Sequence, residues 1–83
     1  MDERIVVTLN IVKRGVSYDI DIPTNISALE LLNGLNQAYD LKVDTSDVKK
    51  CYLKTENPIA LLRGNKLIED YKLRNGSIIN YTE

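Results

Sequence analysis

The segment from Ile5 to Ile22 constrains this chain more than any other. Ile5, Val7, Leu9 and Ile11 recur at period two with Thr8 and Asn10 between them, the pattern of a strand buried on one face. Lys13-Arg14-Gly15 then breaks the pattern with a charged pair and a glycine free to adopt positive φ. Alternation resumes at Val16, Tyr18, Ile20 and Ile22 against Ser17, Asp19 and Asp21. Two such runs joined so closely form a hairpin, and Pro23 ends its second strand because proline cannot donate to a ladder. A hairpin with one apolar face must cover that face, so the rest of the chain has to supply a covering element.

The next segment supplies it. Ser27-Ala28-Leu29-Glu30 matches the capping box, in which the serine hydroxyl accepts the third amide proton and the glutamate reaches back to the serine amide. Ile26 and Leu31 have the spacing of a hydrophobic staple. Leu32, Leu35 and Tyr39, with Leu31 and Ala38 beside them, form a stripe that should face the sheet. Gly34 within this helix marks either a close helix-to-sheet approach, the reading preferred here, or simple tolerance at a cost of about 1 kcal/mol. Residues 40–47 read as a connecting loop. A third strand is expected from Lys49 to Thr55, a short fourth one over Ile59 to Leu62 after Asn57-Pro58, and a last one over Ser77 to Tyr81 after the Asn75-Gly76 turn. Leu67 to Leu73 shows no periodicity and is expected to be irregular. The order is ββαββ, a loop, and a final β: an α+β roll of four to five strands in a mixed sheet on one helix.

With 83 residues the chain has room for a single domain, residues 1–83. It carries 11 basic and 12 acidic residues, a net charge of -1, which lacks the positive field of a dedicated nucleic-acid binder. Zero histidines and one cysteine argue against a transition-metal site or a histidine-dependent hydrolase. No catalytic residue, cofactor site or metal site is expected. Cys51 alternates with Leu53 into the core and reads as an inert buried thiol. Asp19 and Asp21, and the loop acids Asp40, Asp44 and Asp47, lack the spacing and closing glutamate of a calcium loop and read as solvated charge. The lone cysteine, the short apolar runs and the lack of a leader-like start point to a cytoplasmic protein that inserts into no membrane. Charge is uneven along the chain: residues 1–48 are net acidic and residues 49–83 net basic, so a dipolar surface is expected.

The hairpin, the capped helix after Pro23, Gly64-Asn65-Lys66-Leu67, and Asp70-Tyr71-Lys72-Leu73 before a terminal strand resemble, in order and approximate spacing, the ubiquitin-like or β-grasp fold. The resemblance implies that Tyr71 pins the loop before the last strand by bonding backbone through its hydroxyl. It also implies that Leu73 fills the base of the core and that Gly76 takes the positive φ needed before the last strand. Within that fold the chain is similar to the small bacterial YukD/EsaB family. The likeness is carried by Tyr18-Asp19 after a loop-tip glycine and by Leu67-Ile68-Glu69-Asp70-Tyr71 leading to Asn75-Gly76-Ser77-Ile78-Ile79. It departs from the family at Lys54 to Leu62, where Glu56-Asn57-Pro58 lengthens a connection. This resemblance implies a non-catalytic accessory or regulatory component of type VII (Ess or Yuk) secretion in Gram-positive bacteria, acting on a protein partner such as a component of the secretion machinery. The alternatives are a covalent modifier or sulfur carrier, or a generic ubiquitin-like adaptor. The modifier reading is disfavoured because those proteins end in Gly-Gly, whereas this sequence ends Asn80-Tyr81-Thr82-Glu83.

If the apolar positions of strands one, three and five face the helix, Val6, Thr8, Lys50, Tyr52, Lys54, Ile78 and Asn80 share the opposite face. The candidate partner-binding patch therefore has an apolar and aromatic centre, Val6, Tyr52 and Ile78, ringed by lysines and amides. Tyr52 is its expected anchor. Ser27, Glu30, Tyr71, Leu73 and Gly76 are assigned structural roles.

Overall fold

A computed structural model describes residues 3–44, 46 and 51–82. Strands β1 (Arg4–Ile11) and β2 (Val16–Pro23) form the expected hairpin, joined by a 3-10 turn over Val12–Arg14 and by Gly15 at φ +66°. Helix α1 (Ala28–Tyr39) follows, then β3 (Tyr52–Glu56), β4 (Ala60–Arg63), a second 3-10 turn (Ile68–Tyr71) and β5 (Ile78–Tyr81). The strands lie in the order β2-β1-β5-β3-β4, with β5 parallel to β1 and all other neighbours antiparallel. This mixed five-stranded sheet carrying one helix is a β-grasp architecture. The expected start of the third strand at Lys49 and Lys50, and Asp47 of the preceding loop, lie outside the described residues.

One hydrophobic cluster holds the two layers together. Val7, Leu9 and Ile11 of β1, Ile79 and Tyr81 of β5, Leu53 of β3 and Leu62 of β4 meet Ala28, Leu31, Leu32 and Leu35 of α1. Leu9 and Ile79 are fully excluded from solvent at the centre of the sheet. Leu73 is buried in the same cluster. Tyr18 lies exposed outside this cluster, its ring 4.9 Å from that of Tyr39, which packs against the core.

The helix begins as the capping box requires. The Glu30 amide donates to the Ser27 hydroxyl at 3.1 Å, and the Ser27 amide donates to the Glu30 carboxylate at 3.3 Å. The Ala28 and Leu29 amides, which no helical carbonyl can satisfy, donate to the carbonyls of Lys66 and Gly64, each at 2.9 Å. The Ile68 and Glu69 amides return the favour to Ile26 and Thr24 at 2.8 and 2.9 Å. Segment 64–69 is thus docked along the entry to the helix, and Ile68 is fully buried.

Three expectations are corrected. Gly34 is exposed, and a Cβ there would meet nothing within 4 Å, so it marks no close approach to the sheet. The apolar stripe runs through Ala28, Leu31, Leu32 and Leu35, and at about 100° per residue position 34 points to water. Ala38 is exposed as well, although helical spacing puts it within about 20° of Leu31. Residues 67–73 include the 3-10 turn at Ile68–Tyr71 rather than being wholly irregular. Besides its own local bonds, its first amides donate to the carbonyls of Ile26 and Thr24, far away in sequence, so no local periodicity announces it.

Candidate functional site

The sheet face away from the helix carries the candidate patch. Strand register sets its geometry, because side chains of one face recur at every second position. One row across the sheet runs Asp19, Thr8, Ile78, Glu56, and the next runs Ser17, Asn10, Asn80, Lys54, Leu61. Val6 lies one step beyond the first row beside Asp21, and Tyr52 one step beyond the second opposite Arg63.

Tyr52 therefore does not share a centre with Val6 and Ile78. Ile78 pairs with Glu56, four residues along β3 from Tyr52, a separation of roughly 13 Å at strand rise. Between them stands a hydrogen-bonded polar ladder. Asn10 Nδ2 donates to Asn80 Oδ1 at 3.0 Å, and Asn80 Nδ2 donates to Glu56 Oε2 at 2.9 Å. On the β2 side, Thr8 Oγ1 donates to Asp19 Oδ1 at 3.1 Å and Arg4 Nε to Asp21 Oδ1 at 2.9 Å. The face has two apolar islands, Val6 with Ile78 and half-buried Tyr52 with its diagonal neighbour Leu61, separated by amides and charges.

Leu61, 40% exposed, and Glu56 were missing from the sequence-derived patch. The alternation of β4 carries the signal for Leu61, since Leu62 faces the core and its neighbour must face out. Ile59, at the β3-β4 turn, is 91% exposed and extends the same edge. Lys54 is exposed in the second row, between Asn80 and Leu61. Lys50 lies outside the described residues.

The turns framing this face are fastened by polar groups, two of them buried hydroxyls. Gly76 sits at φ +90°, and its amide donates to the Val6 carbonyl at 3.0 Å. The Asn75 side chain accepts the Val6 amide at 2.8 Å, fastening the turn to β1. Ser77 is fully buried. Its hydroxyl donates to the Asn57 carbonyl at 2.6 Å and accepts the Arg74 amide at 3.0 Å. Thr55 occupies a core-facing position of β3 and donates its hydroxyl to the Pro58 carbonyl at 2.9 Å. These two hydroxyls hold the long β3-β4 turn.

Tyr71 acts on a different loop from the one expected. Its hydroxyl donates to the Arg63 carbonyl at 3.0 Å and accepts the Arg63 amide at 3.2 Å. It closes the loop between β4 and the second 3-10 turn, not the loop before β5, and it occupies backbone groups at the outer edge of the sheet. The Lys66 ammonium lies 4.7 Å from the centre of the Tyr71 ring. Cys51 is buried, with Sγ 3.5 Å from the Asp44 carbonyl. Among the described residues no helix is long and apolar enough to cross a membrane.

No protein-family model matches the chain, and no curated protein matches its sequence. Among solved structures it is similar to the solution structure of the C-terminal ubiquitin-like domain of mouse tubulin-specific chaperone e. The TM-score is 0.71 at 13% identity, over 95% of this chain and 84% of that one. The chain has the ubiquitin-like β-grasp fold.

Proposed function

We propose that this ubiquitin-like chain is a non-catalytic, single-domain protein-binding module that docks a partner on its open sheet face without being conjugated to it. The observation that carries the reading is the face itself: two apolar islands set in an ordered polar ladder, on a sheet whose opposite side is filled by the helix. A rigid surface with separated apolar anchors and pre-paired polar groups loses little freedom on binding and imposes register on its partner. Tyr52 is the anchor, with Leu61 beside it and Lys54 between the islands. Val6, Ile78, Thr8 and Asn80 complete the surface.

The finer assignment is a cytoplasmic accessory component of a type VII-like (Ess or Yuk) bacterial secretion system, of the YukD/EsaB kind. It is supported by the Tyr18-Asp19 and Leu67-to-Ile79 sequence features within a ubiquitin-like fold. Deleting the gene in its native host tests this reading: loss of secretion of small WXG100 proteins is the expected result, and unchanged secretion overturns it. Intact-mass analysis of target proteins separates the modifier alternative, because a modifier must appear as target plus this chain.

A further inference from the structure

We infer that a second site, at the end of the molecule between the first 3-10 turn and the loop after the helix, binds a short acidic peptide segment with an apolar residue between its carboxylates. A half-open cavity of about 420 Å³ lies there, lined by Ile11, Lys13, Arg14, Leu41, Lys42 and Tyr81. Its floor is apolar, since Ile11, Leu41 and Tyr81 all belong to the hydrophobic core. Its rim is cationic. The three rim cations come from the acidic half of the sequence, so averaging charge along the chain conceals a cluster that only folding creates.

The cations are not equivalent. Arg14 is committed to the helix C-terminus, where its guanidinium donates to the carbonyls of Tyr39 and Asp40. Among the described residues, Lys13 and Lys42 have no such engagement. Among the described residues the ion pair is Arg4 with Asp21, at the far end of β1, so both lysines keep their charge for a ligand. Lys42 is also held in place. Asp40 and Lys42 take left-handed φ of 51° and 60° on either side of buried Leu41, and the Asn36 side chain clamps the amide and carbonyl of Val43 at 3.0 and 3.4 Å.

Charge complementarity and the apolar floor select the occupant. A peptide laid across the opening places one apolar side chain toward Ile11, Leu41 and Tyr81, while carboxylates on either side reach Lys13 and Lys42. A nucleic acid fits less well, because it needs a track of cations along its backbone and exposed rings for its bases. Tyr81, the aromatic residue here, is buried. This site is separate from the open sheet, so either can fail without the other.

The test titrates the full chain with a short peptide in which a leucine is flanked by glutamate and aspartate, followed by amide NMR. Shift changes confined to residues 11–14, 41, 42 and 81 are expected. The combined variant Lys13→Glu with Lys42→Glu, and separately a peptide with serine for leucine, should each weaken binding by about tenfold or more. Tyr52→Ala should leave it unchanged. Shifts elsewhere or none, equal binding of the serine peptide, or tighter binding of a single-stranded oligonucleotide would each overturn the proposal. The mapping on the unmodified chain decides the matter even if the charge-reversed variant does not fold.

Discussion

The two faces of the sheet share the same strands and differ in what each second residue contacts. Along β1, Val7, Leu9 and Ile11 disappear into the core, while Val6, Thr8 and Asn10 between them meet water and cross-strand amides. The covered face derives its stability from exclusion of solvent, so any loss of volume there is felt by the whole fold. The open face has its polar groups paired sideways, and truncation there leaves solvent to fill the gap. Residues that hold the fold and residues free to bind a partner are therefore separated by a single position along each strand.

The largest effect that would sharpen this contrast is Leu9→Ala. It should cost about 2 to 5 kcal/mol in chemical denaturation, because a fully buried methyl pair leaves a cavity at the centre of the sheet. A loss no greater than that of an open-face truncation would break the distinction. Ser77→Ala comes next. It removes the buried hydroxyl that serves both the Asn57 carbonyl and the Arg74 amide, and leaving those two part-buried groups without it should cost about 1 to 3 kcal/mol. Tyr71→Phe is milder at about 0.5 to 1.5 kcal/mol, since the Arg63 amide and carbonyl it releases lie where water can reach them. An unchanged melting temperature would show that the edge of β4 needs no cover. Gly34→Ala should stabilise the protein by about 0.5 to 1 kcal/mol, as expected for an exposed helical position with open space around it. Destabilisation would mean that the helix does pack closely at that point.

What sequence could and could not disclose follows the range of the interactions involved. The hairpin and capped helix are written locally, in a period of two, a glycine at positive φ and the Ser27-Glu30 pair, and all appear where expected. The 3-10 turn at Ile68–Tyr71 depends on carbonyls of residues 24 and 26, and Tyr71 depends on Arg63, so neither the turn nor the tyrosine's partner has a local signature. The facing of Val6, Tyr52 and Ile78 was legible from alternation. Their grouping was not, because the stagger of β3 against β5 places Glu56 rather than Tyr52 beside Ile78. The basic cavity was invisible for a related reason: Lys13 and Lys42 are 29 residues apart and become neighbours only when the helix folds back over the hairpin.

The central claim is that the open face binds while the covered face folds, and Tyr52→Ala tests it most directly. The variant and the unmodified chain are each melted and then titrated against the partner recovered with the unmodified chain. The account predicts a stability loss within about 1 kcal/mol, as for a half-exposed strand residue, together with a binding loss of about 2 kcal/mol or more. An unfolded variant, or a folded one that binds at full strength, would contradict it.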